Sequence, residues 1–254
     1  MTIWRYTSLH PIRFSFVIPL YNEEENLHDL YHKILDATEK EGLGFEVIFV
    51  DDGSSDDTFA ILKALFEKDA RLIVIKFRKN FGQHAALLAG FIKARGDIII
   101  SLDSDFRNEP GDISKLLAMM EKGYDVIKGW RMERAAPPLR KAYSIISNAV
   151  FRILISKEVH DYGCALGAFR KGLLEDAGRK DNSNLLKYVH LYCLKKAGKV
   201  GEIAVREPKT DRMPSKYNFV KLLRLFGDIL WAICRSSKTK TSSDFYEIES
   251  VLTH

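Results

Sequence analysis

The sequence is poor in the features that mark several large protein classes. It holds only three cysteines, Cys164, Cys193 and Cys234, an odd number set far apart with no C-x-x-C. That argues against a disulfide framework and fits a reducing compartment. No run of about 18 or more apolar residues occurs, so no membrane-spanning helix is expected. The opening residues MTIWRYTSLHPIRF lack an apolar core of signal-peptide length, and a cytoplasmic location follows as the expectation. Neither G-x-G-x-x-G nor G-x-x-x-x-G-K-[ST] is present, which removes the dinucleotide fingerprint and the P-loop as routes to phosphate binding.

What is present is an ordinary globular composition, 46% hydrophobic and 29% charged, on a chain long enough for a well-buried core. The net charge of +5 is unevenly placed. Residues 195–240 hold twelve Lys/Arg against four Asp/Glu, a local excess of +8 over a remainder of −3. A basic segment beside a nearly neutral domain points to an anionic partner: phosphate, acidic lipid or nucleic acid.

The first half alternates two periodicities. FSFVIPL (14–20), FEVIFVDD (45–52), RLIVIKF (71–77) and DIIISLD (97–103) are short, nearly continuous apolar runs, the pattern of strands buried on both faces. Between them, Leu27, Leu30, Tyr31, Ile34 and Leu35 fall at helical spacing, as do Phe59, Leu62 and Phe66, and Ala85, Leu88, Ala89 and Ile92. Asp56 or Asp57 can cap the second helix, and Gly42 and Gly96 lie where helices should stop. Strand–helix alternation of this kind predicts a three-layer α/β fold with a mostly parallel sheet. Beyond residue 110 the pattern predicts a helix at 112–122, a strand at 125–130, a helix at 141–156, a turn at Tyr162–Gly163, and helices at 183–197 and 219–234. Residues 236–254 read as a disordered tail.

Chemistry-bearing residues sit at the carboxyl ends of the predicted strands, where ligands gather in such sheets. Asp51-Asp52 can accept hydrogen bonds from a nucleobase or ribose, or can serve a helix cap. Asp103-Ser104-Asp105 places two carboxylates on one side of an extended segment, able to share a hard cation that in turn holds diphosphate; the alternative is a strand-end turn with Asx hydrogen bonds. Arg107 follows on the same side. HDLYH (28–32) approaches a zinc-helix spacing, but has no third ligand and lies on the flank of its helix.

The ordered segments FSFVIPLYNEEENL, VIFVDDGSSDDT, FRKNFGQHAALLAG, DIIISLDSDFRNEP, DVIKGWR and DYGCALGAFRK resemble the family 2 glycosyltransferases of GT-A fold, over roughly residues 12–232. The likeness is to the branch that uses polyprenyl phosphates. It implies a Rossmann-like three-layer sandwich over residues 1–215, with a C-terminal amphipathic helix at 216–235. It further implies an inverting transfer from a nucleotide sugar, preferably a UDP-sugar, to a polyprenyl phosphate.

By the same resemblance, Pro19, Tyr21, Glu23 and Asp51 hold the nucleoside; Asp103, Ser104 and Arg131 face diphosphate or sugar; and Asp103 and Asp105 carry Mg2+ or Mn2+. Asp161 is a candidate catalytic base or an orienting group, with Asp105 beside it in the catalytic set. Arg212 and Lys216 become ligands of the acceptor phosphate. Two departures stand out. Phe106-Arg107 replaces the usual Leu-Gln, and an arginine offers donors only, so it cannot ligate a cation. Either water takes that place, or Arg107 binds phosphate itself. DRMPSKY (211–217) is also shorter than the usual segment, with Met213-Pro214 in place of a glycine-bearing turn.

Two other readings remain open: a glycosyltransferase acting on a glycan hydroxyl, and a non-catalytic nucleotide-sugar-binding partner subunit. Helix 219–234 carries Lys221, Arg224, Asp228 and Trp231. It can lie in the headgroup layer of an anionic membrane on the cytoplasmic face, or pack on protein. Nucleic-acid binding is not expected, because Tyr217, Phe219, Phe226 and Trp231 mostly follow the helix's apolar stripe. Self-association into a homo-oligomer is left open.

Overall fold

The computed structural model describes residues 12–39, 44–104, 110–132, 138–174, 184–205, 219–234 and 245–254. The chain runs β1 (Phe14–Leu20), α1 (Leu27–Glu39), β2 (Phe45–Asp51), α2 (Thr58–Phe66), β3 (Leu72–Phe77), α3 (Gln83–Lys93), β4 (Ile98–Ser101), α4 (Pro110–Glu121), β5 (Val126–Arg131) and α5 (Pro138–Leu154). It continues through β6 (Gly167–Arg170), two short 3-10 turns, α6 (Val189–Lys196), β7 (Val200–Val205), α7 (Phe219–Cys234) and β8 (Ile248–Leu252).

All eight of these strands form one sheet in the order β7-β5-β6-β4-β1-β2-β3-β8. β1 through β4 pair in parallel. β6 is antiparallel to both β4 and β5, and β5 and β7 are parallel. This is the mostly parallel α/β architecture that the alternating pattern predicts. The strands bury both faces because each face receives helices. Phe14, Phe16, Ile18 and Leu20 of β1 pack with α1, α2 and α4, while Val17 joins α3, α6 and α7 on the other side. α3 lies so close to the sheet that a Cβ at Gly90 would fall 2.3 Å from Val17 Cγ1.

The sheet reverses its building direction at β1, which has β2 on one side and β4 on the other. Ligands of open α/β sheets bind at such switch points. β1 stays paired to β4 only through Val17, opposite Ser101, with Leu102 N donating to Val17 O. Two residues on, Pro19 faces the same side by strand alternation. Its missing N–H costs no ladder bond, because β4 has already diverged there. The result is a crevice between the ends of β1 and β4.

Three strands lie outside the sequence reading. β6 spans only Gly167–Arg170, and β7 is mostly half-buried. β8 lies in the segment read as a disordered tail, and that expectation fails for residues 245–254. β8 pairs antiparallel with β3, from Val74–Leu252 to Phe77–Ile248. Tyr246 stacks on Phe77 at 5.0 Å and His254 on Phe66 at 3.9 Å between ring centroids. The tail is polar, but it supplies backbone to an apolar sheet edge and two rings to cover it.

Gly53, just after β2, has φ +70, and a Cβ there would lie 2.4 Å from the backbone carbonyl carbon of Lys79. Gly53→Ala combines left-handed strain of about 1–2 kcal/mol with a backbone overlap. A loss of at least about 2 kcal/mol in urea unfolding is expected; an unchanged midpoint would show that the two loops separate freely.

Candidate active site

The crevice is built from the loops after β1, β2 and β4, tied together by side chains that serve backbone donors. Asn22 sits at φ +54, a conformation asparagine tolerates better than most residues. Its N–H reaches Ser54 Oγ at 3.0 Å, and its Oδ1 accepts from Ser55 N at 3.0 Å. Glu23 N donates to Thr58 Oγ1 at 2.9 Å. The segment Tyr21–Glu23 is thereby pinned to the start of α2, with Tyr21 exposed. Asp56, one of the two candidate caps, accepts from Thr58 N at 3.1 Å, whereas Asp57 makes no side-chain cap bond.

The two acids after β2 do different work. Asp52 accepts from Phe81 N at 2.7 Å and Gly82 N at 2.9 Å, one oxygen each, and so fixes the entry to α3. Asp51 accepts from Ser54 N at 2.9 Å through Oδ1. Its Oδ2 is buried with no hydrogen-bond partner among the described residues. A buried, unpaired carboxylate oxygen is costly, and this one is suited to an incoming N–H or hydroxyl. Burial pushes the Asp51 carboxyl above its ordinary range.

From α3, Gln83 Nε2 donates to Asp103 Oδ1 at 2.8 Å, and Ser104 Oγ donates to Glu23 Oε1 at 3.1 Å. Loops after β1 and β4 therefore meet at the acids. Asp105, Arg107, Arg212 and Lys216 lie outside the described residues. Among the described residues no group of three or more His, Cys, Asp or Glu gathers as a cation cage. Small hard cations such as Mg2+ bind through one or two carboxylates plus substrate phosphates and water, so the oxygen donors here fit that mode without a full protein shell. His28 and His32 are both exposed on α1.

The opposite wall centres on an ion pair. Arg131, at the end of β5, donates from Nε to Asp161 Oδ2 at 2.7 Å and from Nη2 to Asp161 Oδ1 at 3.0 Å. Gly163 N adds a bond to Asp161 Oδ1 at 3.1 Å. Both oxygens of Asp161 are therefore committed, which favours an orienting role over that of a base. Glu202 of β7 fixes the preceding backbone, with Oε1 accepting from His160 N at 2.7 Å and Asp161 N at 3.2 Å.

Lys128 is fully buried in β5 and donates to the Cys164 carbonyl; Ser101 Oγ donates to Ala165 O at 2.5 Å. Burial lowers the Lys128 ammonium from its ordinary value. Motifs marked Asp51, Asp103, Arg131 and Asp161 in the sequence. Gln83, Lys128, Ser101 and Glu202 were not singled out, although Gln83, Lys128 and Ser101 stand within the quoted segments FRKNFGQHAALLAG, DVIKGWR and DIIISLDSDFRNEP.

Asp103 and Arg131 share a cavity of about 330 Å3 with residues of α3, α5, α6 and α7. Its walls mix Tyr143, Ser144, Asn148 and Tyr188 with Leu87, Phe151, Leu225 and Ile229. Two neutral imidazoles complete it: burial holds His84 down at about 4, and His190 well below its ordinary range.

The glycosyl transferase family 2 model matches residues 15–178. Over 219 residues the chain is 35% identical to the undecaprenyl-phosphate 4-deoxy-4-formamido-L-arabinose transferases of Salmonella paratyphi B and Salmonella typhimurium, covering 86% of this chain. The aligned part spans 66% of those relatives' length. Among solved structures, the chain is similar to Mycobacterium tuberculosis glucosyl-3-phosphoglycerate synthase in complex with Mn2+ and UDP-glucose, with TM-score 0.60, 20% identity and coverage of 88% and 79% of the two chains. It is also similar to S. aureus TarS 1-349 in complex with UDP-GlcNAc, with TM-score 0.54, 18% identity and coverage of 92% and 69%. At these identities the likeness shows the fold.

Asp52 provides a test of the crevice's construction. Burial raises its carboxyl from 3.8 to about 6, against the opposing pull of the Phe81 and Gly82 N–H groups. The folded state thus binds this proton more tightly than the unfolded one. Its stabilisation is complete below about pH 4 and is lost as pH rises through about 6. Asp52→Asn lacks the titration. Its urea midpoint is expected to improve relative to the parent protein between those pH values, and a constant difference would contradict this assignment.

Proposed function

The chain belongs to glycosyl transferase family 2, and on that premise we propose that it moves a sugar from a UDP-sugar to a polyprenyl phosphate with inversion at the anomeric carbon. The observation that carries this reading is that Asp103 and Arg131, the latter held by Asp161, line one cavity, on the sheet end where Asp51 leaves a buried oxygen unpaired. The curated relatives are named for transfer to undecaprenyl phosphate, and solved neighbours are described with UDP-sugars.

In this reading Asp51 Oδ2 accepts the uracil N–H, and the Tyr21–Glu23 turn packs against the nucleoside. Asp103, held by Gln83, faces the diphosphate with Ser104, and Asp105 completes the acidic pair. A divalent cation bound there supplies Lewis-acid stabilisation of the departing diphosphate. Arg131, oriented by Asp161, presents its positive charge to phosphate or sugar. Arg212 and Lys216 hold the acceptor phosphate. Arg107, whose guanidinium offers donors only, would not be among the ligands of that cation.

A phosphate oxygen attacks the anomeric carbon as the bond to the nucleoside diphosphate breaks on the opposite side. That nucleophile is already anionic near neutral pH, so it needs little help from a base. The engagement of both Asp161 oxygens favours this acceptor over a glycan hydroxyl, which would need a base free to take its proton. It also suits an enzyme better than a binding subunit, because the charged groups are arranged around a cavity that a substrate can enter. Among the described residues no helix is long and apolar enough to cross a membrane; α7 is the candidate contact with the bilayer on which such a lipid resides.

The test measures UDP release from UDP-glucose and from UDP-4-deoxy-4-formamido-L-arabinose, with Mn2+ or EDTA, with and without undecaprenyl phosphate. Release from one donor that requires both lipid and Mn2+ is expected. Asp103→Ala should lower it by at least about 100-fold. UDP binding without lipid-dependent release, in the presence of a competent donor, would sink the reading. Separately, Asp51→Leu should weaken UDP binding in calorimetry by about tenfold, the loss of one hydrogen bond to a charged acceptor; unaltered affinity would remove Asp51 from the nucleoside site.

A further inference from the structure

We propose that residues 245–254 form a strap that positions the donor side of the crevice, with Tyr246 as the positioning residue that couples β8 to the loop between β3 and α3. The proposal goes beyond the transfer reaction, but it rests on the reading of Asp51 and Asp103 as donor contacts. The loop, residues 78–82, leads the chain from β3, near the sheet edge, into α3 over β1 and β2. It carries the Phe81 and Gly82 N–H groups that Asp52 accepts. Gln83, which follows it, holds Asp103. Arg78, Lys79 and Asn80 are exposed, and Gly82 sits at φ +93, with no described atom within 4 Å of where a Cβ would lie. A loop so sparsely packed depends on the few contacts that reach it.

The strap supplies several of them. β8 pairs with β3 in regular register from Val74–Leu252 to Lys76–Ser250, and the next pair is Phe77–Ile248, which leaves Glu249 as an extra residue. Such a bulge bends its strand and re-aims the segment beyond it. Residues 245–247 then meet the crevice end of β3. Glu247 O accepts from Arg78 N at 3.2 Å, and the Glu247 carboxylate lies 3.9 Å from Arg78 Nη1. Tyr246 stacks on Phe77 at 5.0 Å with 12° between planes, and Phe77 meets Phe81 edge to face at 5.7 Å and 88°. Three rings thus connect the strap to the residue whose N–H is bonded to Asp52. Phe77 is fully buried. Loss of the Tyr246 ring uncovers it and leaves Phe81 room to shift, at the point from which Gln83 is aimed.

A second ring fastens the strap at its other end. His254 stacks on Phe66 at 3.9 Å, and its Nε2 donates to Phe66 O at 2.9 Å. In the antiparallel register His254 lies past the Val74–Leu252 pair, toward the amino end of β3 and away from the crevice. A strap that only stabilises the sheet uses the two rings alike, whereas one that positions the loop separates them.

The experiment compares the full chain with Tyr246→Ala, Tyr246→Phe and His254→Ala. NMR-detected hydrogen exchange of the Phe81 and Gly82 amides, without ligand, reads the loop. Calorimetric titration of UDP with Mn2+ reads the donor site, and the urea midpoint reads stability. Tyr246→Ala should speed exchange of both amides by about three- to tenfold and weaken UDP binding by a similar factor, the range that one aromatic pair supports. Tyr246→Phe keeps the stacked ring and should match the parent in both. His254→Ala should lower the urea midpoint yet leave exchange and affinity as in the parent.

Unchanged exchange in Tyr246→Ala overturns the strap, whatever UDP binding does. Faster exchange with unaltered UDP affinity overturns its link to the donor site, and so does an equal loss of affinity in His254→Ala. A parent protein that binds no UDP counts against the donor reading, and the exchange rates then decide by themselves whether the strap orders the loop.

Discussion

The hydrogen bonds from Phe81 and Gly82 to the Asp52 carboxylate are the contact on which the donor side of the crevice depends. They tie the end of β2 to the start of α3, two elements separated along the chain by α2 and β3. With α3 so placed, Gln83 reaches Asp103 at the end of β4, and Gly53 can lie against the Lys79 backbone. One buried acid thus sets the position of another two strands away. Its cost is desolvation, which the N–H donors only partly offset, and the raised carboxyl is the sign of that imbalance.

The opposite wall uses a different device. Here the loop from Asp161 to Leu166 is fastened at successive points to β4 and β5: Arg131 to Asp161, Lys128 to the Cys164 carbonyl, Ser101 to the Ala165 carbonyl, and Gly129 N to Leu166 O at 2.9 Å. Buried charges are stabilising only when their partners are well placed, and each of these polar side chains has one. Between the two walls, the early divergence of β4 from β1 leaves an opening that Pro19 helps to define. The crevice is therefore a consequence of strand pairing that stops, with fixed side chains on either side.

Much of the fold was legible because strands buried on both faces have to be apolar throughout. β1 begins and ends as expected, and the expected spans of β2, β3, β4 and β5 lie within a few residues of their observed ones. β6, with the sequence GAFR, offered too little length and periodicity, and β7 mixes glycine and glutamate into a half-buried edge. β8 was illegible for a different reason: its register depends on an apolar edge distant in sequence, and its own residues are mostly exposed. At the site, motif spacing pointed to Asp51, Asp103, Arg131 and Asp161. Spacing could not separate the tasks of Asp51 and Asp52, since adjacent acids look alike until one is seen to serve the backbone of another loop. Lys128 was equally hidden, because nothing local tells a buried lysine from an exposed one.

The late position of β8 has a consequence for synthesis. β3, with its sequence LIVIKF, leaves the ribosome while most of the chain that separates it from β8 is still untranslated. Until residues 245–254 emerge, its outer backbone groups and the Phe77 ring have no β8 to cover them. An apolar strand edge in that condition invites pairing with another nascent chain. Lys76, half-buried beside the edge and later paired with Glu249, is the one charged residue within β3 to oppose such pairing. The growing chain is therefore most vulnerable to aggregation between the completion of β3 and the arrival of its final partner strand, an interval that a chaperone would have to span.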